Sequence, residues 1–408
     1  MVTYPADWEK VKLADLIIKG GSGGTPNTSK EEYYKGRIPF LSISDITNSN
    51  GYIYRTEKSI SELGLNSSAA WIVPAEALTL AMYASVGKVA ILKKDIATSQ
   101  AFYNMIFSGL GTRDFVYYYL KKFDRDNLWN PLISTGTQAN LNAKKIRNLE
   151  IYLPPLPEQQ AIAATLSYFD EHIDNLTELI EKKKAIRDGA LEDLVSGRTR
   201  LDGFNGEWVD IKVGDFLEFK NGLNKGKDFF GTGTPIVNYM DVYKNRGLVK
   251  KDIKGKVNLS LGEIKRFEVR KNDVFFTRTS ETPEEVGISS VLLEDISNCV
   301  FSGFILRGRP MNKLISPEYC KFCFSTNDVR HDIIKNCTYT TRALTNGNQL
   351  SKIVLHVPFD IKEQEAIAEV LTSLDDEIES LKIEKEKMLQ IKEGAMDDLL
   401  TGRVRLKA

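Results

Sequence analysis

The sequence predicts an α+β protein. Two globular mixed α/β units are separated by two long helices that pair as an antiparallel coiled coil, and the whole carries a pseudo-two-fold internal repeat. Three observations predict this. Residues 158–201 return as residues 363–406 at a constant offset of 205, with 20 of 44 positions identical. Each copy carries an apolar seam of helical period. The stretches before the two copies match more faintly, and both read as short strands between Gly, Pro and Asn turns.

The chain of 408 residues is long enough for more than one domain. Its 42% hydrophobic and 27% charged residues exclude a disordered, collagen-like or disulfide-stapled protein. No run of 18 apolar residues suggests a membrane span, the first ten residues lack a secretory core, and four Cys fit a reducing cytoplasm. Equal counts of 55 basic and 55 acidic residues hide a division. Residues 1–153 hold 18 basic and 14 acidic groups and residues 202–357 hold 23 and 19, so both are net +4. Residues 154–201 are net −3 and residues 358–408 net −5. Lys244 to Lys271 alone contains ten basic and three acidic residues.

In chain order, residues 1–153 form the first unit. Strands are expected at Ile38–Ile43, Ala77–Met82, Val89–Leu92 and Ile146–Leu153, with a helix at Phe115–Phe123. Pro154, Pro155 and Pro157 stop the last strand and open the first long helix. Its seam is Ile162, Leu166, Phe169, Ile173, Leu176 and Ile180, spaced 4-3-4-3-4. From 158 to 196 it would run about 58 Å at about 1.5 Å per residue. Gly197 and Arg198 mark its end. Residues 202–357 form the second unit, with strands at Ile236–Tyr239, Asp273–Thr277, Ile288–Leu293, Val300–Leu306 and Ile353–Pro358 and a helix at Pro317–Phe324. Trp8–Asp15 parallels Trp208–Asp215, Ile38–Asp45 parallels Thr234–Asp241, and Ser85–Gly87 parallels Glu285–Gly287. The second helix, in residues 358–408, repeats the seam at Ile367, Leu371, Leu374, Ile378 and Leu381, and ends at Gly402. Pairing the two copies explains both seams. An antiparallel pair puts the units at opposite ends; a parallel pair would force the chain back along the rod.

The sequence offers little that resembles a catalytic pattern. No GxxxxGK[ST] loop indicates ATP hydrolysis, and Gly21–Gly24 is not a dinucleotide loop. Asn130-Pro131-Leu132-Ile133 lacks the second proline and the aromatic of the amino-methyltransferase motif. Cys320, Cys323, His331 and Cys337 could be drawn as a zinc site, but Val116 and Tyr119 replace the first two in the other repeat. That points to a buried helix face. Asp252…Glu263-Ile-Lys265 is a loose nuclease-like spacing, and His172 is expected to face solvent. The loops instead are rich in Ser, Thr, Asn, Gln and Gly. Such short polar stems hydrogen-bond well to base edges and phosphates. Candidate base contacts are Thr25, Asn27, Ser85, Gln138 and Asn140 in the first unit and Asn224, Arg278, Thr341, Arg342 and Asn348 in the second. Candidate phosphate contacts are Lys30, Lys88, Lys225, Lys250 and Lys251.

The chain resembles the specificity subunits of type I restriction-modification systems. Leu153-Pro-Pro-Leu-Pro-Glu-Gln-Gln-Ala-Ile-Ala163 opening a long helix and Leu194-Val-Ser-Gly-Arg198 closing it carry the likeness, and both return at Glu363–Ala368 and Leu399–Arg403. Gly23-Gly-Thr-Pro26 and Lys271-Asn-Asp-Val274 resemble further family motifs. The second unit has Asn221-Gly-Leu-Asn224 in place of the Gly-Gly-Thr-Pro run and Val357-Pro358-Phe359 in place of the double proline. The resemblance implies a non-catalytic subunit whose globular units are target recognition domains, each reading half of a bipartite, asymmetric double-stranded DNA target. It implies helices that set the spacing and dock two methyltransferase subunits, with restriction subunits joining through the complex. No cofactor belongs to this chain itself; S-adenosylmethionine, ATP and Mg are implied for the partners. The alternatives are an autonomous DNA methyltransferase or nuclease, and a coiled-coil scaffold that binds no DNA.

Overall fold

The structure, a computed structural model, describes residues 4–135, 139–339 and 341–406. It divides into two compact units, Met1–Thr177 with Ile383–Ala408, and Glu178–Lys382. The division passes through both long helices, Leu156–Val195 and Ile361–Leu399. Each unit therefore holds one body and half of each helix.

The body of the first unit is built on a five-stranded sheet ordered Ile17–Ser22, Phe102–Phe107, Leu78–Ala81, Val89–Leu92 and Tyr52–Ile53. The second unit repeats that order with Leu217–Asn221, Ile305–Pro310, Val274–Thr277, Ser289–Leu292 and Gly247–Leu248. In both, the last strand pairs parallel and the others antiparallel. Smaller sheets follow the same plan. Ile38–Leu41 lies parallel to Ile96–Thr98, as Phe230–Val237 does to Val300–Phe301. Central strands buried on both faces explain their near-continuous apolar runs, such as Val89–Leu92 and Val274–Thr277.

Several expected strands are shorter and end in helices. Ile43 leaves its strand because Ser42 and Asp45 form a capping box that starts the helix Ile43–Asn48; Asn238 and Asp241 start Tyr239–Lys244 in the same way. Ile146 belongs to the helix Ala143–Arg147, capped by Asn142, so the strand is only Glu150–Leu153. Val300–Leu306 breaks into two strands around a turn. The helix expected at Phe115–Phe123 extends over Leu110–Arg125. Its counterpart is one turn, Pro317–Cys320, with Cys320 and Cys323 in the apolar core. His172 is half-exposed, its ring stacked on Tyr168 and 3.7 Å from Glu384.

The seam residues Ile162, Leu166, Ile173, Leu176, Ile180, Ile367, Leu371 and Ile378 are buried. Phe169, Leu374 and Leu381 are half-buried. The seam is not only a helix–helix contact. Ile162 and Leu166 share one core with Trp8, Phe115, Met396 and Leu400. Ile367 and Leu371 share another with Leu191, Val195, Phe216 and Tyr319. The pairing is antiparallel within each unit: Asp170 meets Lys392 in the first, while Lys183 meets Glu377 and Arg187 meets Asp375 in the second. Both helices end as expected. Gly197 and Gly402 take left-handed φ of +74° and +70°. Thr199 N–H wraps back to the Asp193 carbonyl at 3.1 Å, as Val404 N–H does to Asp398 at 3.3 Å.

Candidate nucleic-acid interface

The loop after each unit's first long strand is pinned by glycine. A Cβ on Gly23 would lie 1.7 Å from the Thr98 carbonyl oxygen, and one on Gly222 would lie 2.1 Å from that of Ser302. The next residue donates its N–H to the neighbouring strand end in both cases, Gly24 to Thr98 at 3.1 Å and Leu223 to Phe301 at 2.9 Å. This fixes the loop register: Gly23 corresponds to Gly222, and Thr25 to Asn224. The exposed Thr25 hydroxyl donates to Gln100 Oε1 at 2.7 Å. At the equivalent place Gly303 leaves room for Asn224, whose Oδ1 would lie 2.0 Å from a Cβ there.

The remaining candidates of the first unit sit around this loop and the turn at residue 85. Asn27 Oδ1 accepts from Ser29 N–H at 3.0 Å in an Asx turn. Lys30 lies over the Tyr33 ring, 5.1 Å from its centre. Ser85 has a left-handed φ of +51° and shares a hydrogen bond of 2.9 Å with Thr47. Lys88 is salt-bridged to Asp124 at 3.0 Å. Asn140 is half-buried and bridges Tyr83 backbone to backbone. Gln138 lies outside the described residues.

In the second unit, Lys225 pairs with Glu263 at 2.7 Å and covers the Phe229 ring. With Ser260 it holds the Glu263 carboxyl down to about 2. Lys250 and Lys251 project from an exposed turn at Lys250–Asp252. Thr341 is exposed beside Arg342, whose guanidinium is 3.9 Å from Glu281. Arg278 and Asn348 are brought together. With Asn221, Lys220 and Asn346 they line an open cavity of about 520 Å³. Arg278 Nη1 donates to the Gly303 carbonyl at 3.2 Å, and its Nε is buried without a partner among the described residues.

Two groups escaped the sequence reading. Gln100 and Phe304 occupy equivalent turns, far in sequence from the glycine-pinned loops to which those turns are hydrogen-bonded. Lys220 lies among Arg266, Arg307 and Arg309; burial first, then those three charges, hold its pKa below the ordinary lysine value. Strand alternation could have placed Arg307 and Arg309 on one face, but only the sheet order brings Lys220 beside them. Among the described residues no cluster of three or more His, Cys, Asp or Glu is placed to hold a metal ion, and no helix is long and apolar enough to cross a membrane.

Comparison with known proteins accords with this duplicated architecture. The family model for the type I restriction modification DNA specificity domain matches twice, over residues 5–185 and 205–390. The chain belongs to that family: it is a specificity subunit of the type I restriction-modification class rather than a catalytic one. The MjaIX specificity subunit of Methanocaldococcus jannaschii is 27% identical over 306 residues, spanning 70% of this chain and 69% of the relative. The MjaVIII subunit of the same organism is 24% identical over 99% of this chain and 94% of its own. Among solved structures, the type I S subunit from M. genitalium superposes with a TM-score of 0.58 at 16% identity, covering 98% of this chain and 97% of that one. A chain from a study of type I complex assembly and conformational transition gives 0.62 at 13% identity, covering 98% and 100%. These two likenesses concern the fold.

Proposed function

We propose that each body, residues 1–153 and 202–357, is a target recognition domain that reads one half of a bipartite, asymmetric DNA target. The helical segments, residues 154–201 and 358–408, hold the readers at a set distance and dock two methyltransferase subunits. Restriction subunits join through the assembled complex. The chemistry stays with the partners: S-adenosylmethionine with the methyltransferases, ATP and Mg with the restriction subunits.

One observation carries this reading. The two bodies share strand order and glycine-pinned loops, yet differ in the side chains those loops present, Thr25 with Gln100 against Asn224 with Gly303. A common frame with different polar tips is what reading two different sequences requires. On this reading Thr25, Asn27, Ser85, Gln138, Asn140, Asn224, Arg278, Thr341, Arg342 and Asn348 are the base contacts, and Lys30, Lys88, Lys225, Lys250 and Lys251 the phosphate contacts. Replacing residues 1–153 by the equivalent body of a relative should change one half of the methylated target and leave the other. A swap that alters both halves, or neither, contradicts the two-reader assignment.

A further inference from the structure

Resting on the reading that each body recognises a half-site, we propose that one turn, built twice, is the base-reading tip of each unit. The turn Ser99–Phe102 presents Gln100 to an adenine. The turn Ser302–Ile305 presents Phe304 to the 5-methyl group of a thymine.

The two turns have one frame. Each follows the strand that lies parallel to Ile38–Leu41 or Phe230–Val237. Each is closed by its fourth residue: Phe102 N–H donates to the Ser99 carbonyl at 3.3 Å, and Ile305 N–H to that of Ser302 at 3.1 Å. Each serine hydroxyl accepts from the backbone two residues on, from Ala101 at 3.2 Å and from Phe304 at 3.3 Å. Each third residue accepts from the adjoining strand, Ala101 from Met82 at 2.7 Å and Phe304 from Arg278 at 3.0 Å. Each turn is also tied to the glycine-pinned loop, through Gly23 N–H to Ser99 and Gly303 N–H to Leu223. The backbone is held from three sides, and the side chains at its tip differ: Gln100 with Ala101 in one unit, Gly303 with Phe304 in the other.

Those side chains point to different base edges. Gln100 is exposed, and the Thr25 hydroxyl donating to its Oε1 sets which way the amide faces. The oxygen keeps a second lone pair and the nitrogen two protons. That donor–acceptor pair matches N7 and the N6 amino group of adenine. Phe304 is 64% exposed, a large apolar ring with no protein partner over most of its surface. The Arg278 guanidinium lies against the same turn. An exposed ring on a turn whose backbone holds a guanidinium suits a polyanion carrying an apolar group, which in the major groove is the thymine methyl.

The test uses the subunit assembled with its methyltransferase partners and duplexes of the target established by methylome sequencing. Adenines of the first half-site are replaced singly by 7-deazaadenine, and thymines of the second singly by uracil. One 7-deazaadenine should weaken wild-type binding roughly tenfold and have no further effect on Gln100→Ala or Gln100→Glu. One uracil should weaken wild type severalfold and have no further effect on Phe304→Ala, while Phe304→Leu, still apolar, stays uracil-sensitive. Variants that bind as wild type, or that every single analogue weakens further by as much as it weakens wild type, overturn the assignment. So does a weakened Phe304→Ala beside a wild type that no single uracil weakens, which would mark the ring as a wedge in the base stack. A wild-type complex with no preference for its target over unrelated duplex would contradict half-site reading itself.

Discussion

Glu158 and Glu363 fasten the bodies to the helices. Each sits in the first turns of a long helix, and each accepts from a tryptophan of the adjoining body, Trp8 or Trp208, both at 3.3 Å. Each also takes a two-pronged arginine from beyond the end of the other helix: Arg405 reaches Glu158 at 2.6 and 2.7 Å, and Arg200 reaches Glu363 at 2.9 and 2.6 Å. Glu363 is fully buried. Deleting it leaves an indole N–H and a guanidinium without their acceptor, so Glu363→Ala should cost the second unit about 2–4 kcal/mol. Calorimetry should show this as a lowered transition, with Glu363→Gln milder because its amide oxygen still accepts. An unchanged transition in Glu363→Ala would remove the cluster from any role in holding the unit. Both acids and both arginines stand out in the sequence as repeat positions. Their meeting does not, because Glu158 and Arg405 are 247 residues apart and only the antiparallel pairing joins them.

The long helices were legible because their signals are local: prolines before the first turn, a seam of fixed period, glycine at the end. The body's short elements were legible only in part. Val89–Leu92 reads directly as a buried strand. Ile43 and Ile146 do not, since a capping side chain overrides the apolar run that suggests a strand. The turns proposed to read bases were invisible for another reason: Ser99–Phe102 is shaped by bonds from Gly23 and Met82, which no local pattern reveals. The seam itself makes a direct prediction. Ile173 and Ile378 are 9% and 4% exposed, and a carboxylate at either site is costly unless paired. Replacing both with Asp should separate the helices and abolish assembly with methyltransferase subunits. Co-purification of the double variant at the wild-type ratio would contradict the pairing.

The whole molecule is a repeat with the roles of its helices exchanged. The start of the first helix and the end of the second serve the first unit; the start of the second and the end of the first serve the other. That duplication explains a chain of zero net charge with two basic bodies joined by acidic connectors. On the proposed function the helices act as a ruler between two readers. A ruler of about 58 Å would set an upper bound on the distance between half-site centres, an expected one to one and a half DNA turns at about 34–36 Å per turn. Four residues inserted after Leu176, with four more in the facing turn after Lys385, would lengthen the pair by about 6 Å and nearly preserve the helical face. The decisive measurement is the methylome of a strain carrying that insertion. The ruler predicts a longer unread spacer, by close to two base pairs at about 3.4 Å each, between two unchanged half-sites. The original spacer at full methylation would show that the helices do not set the distance.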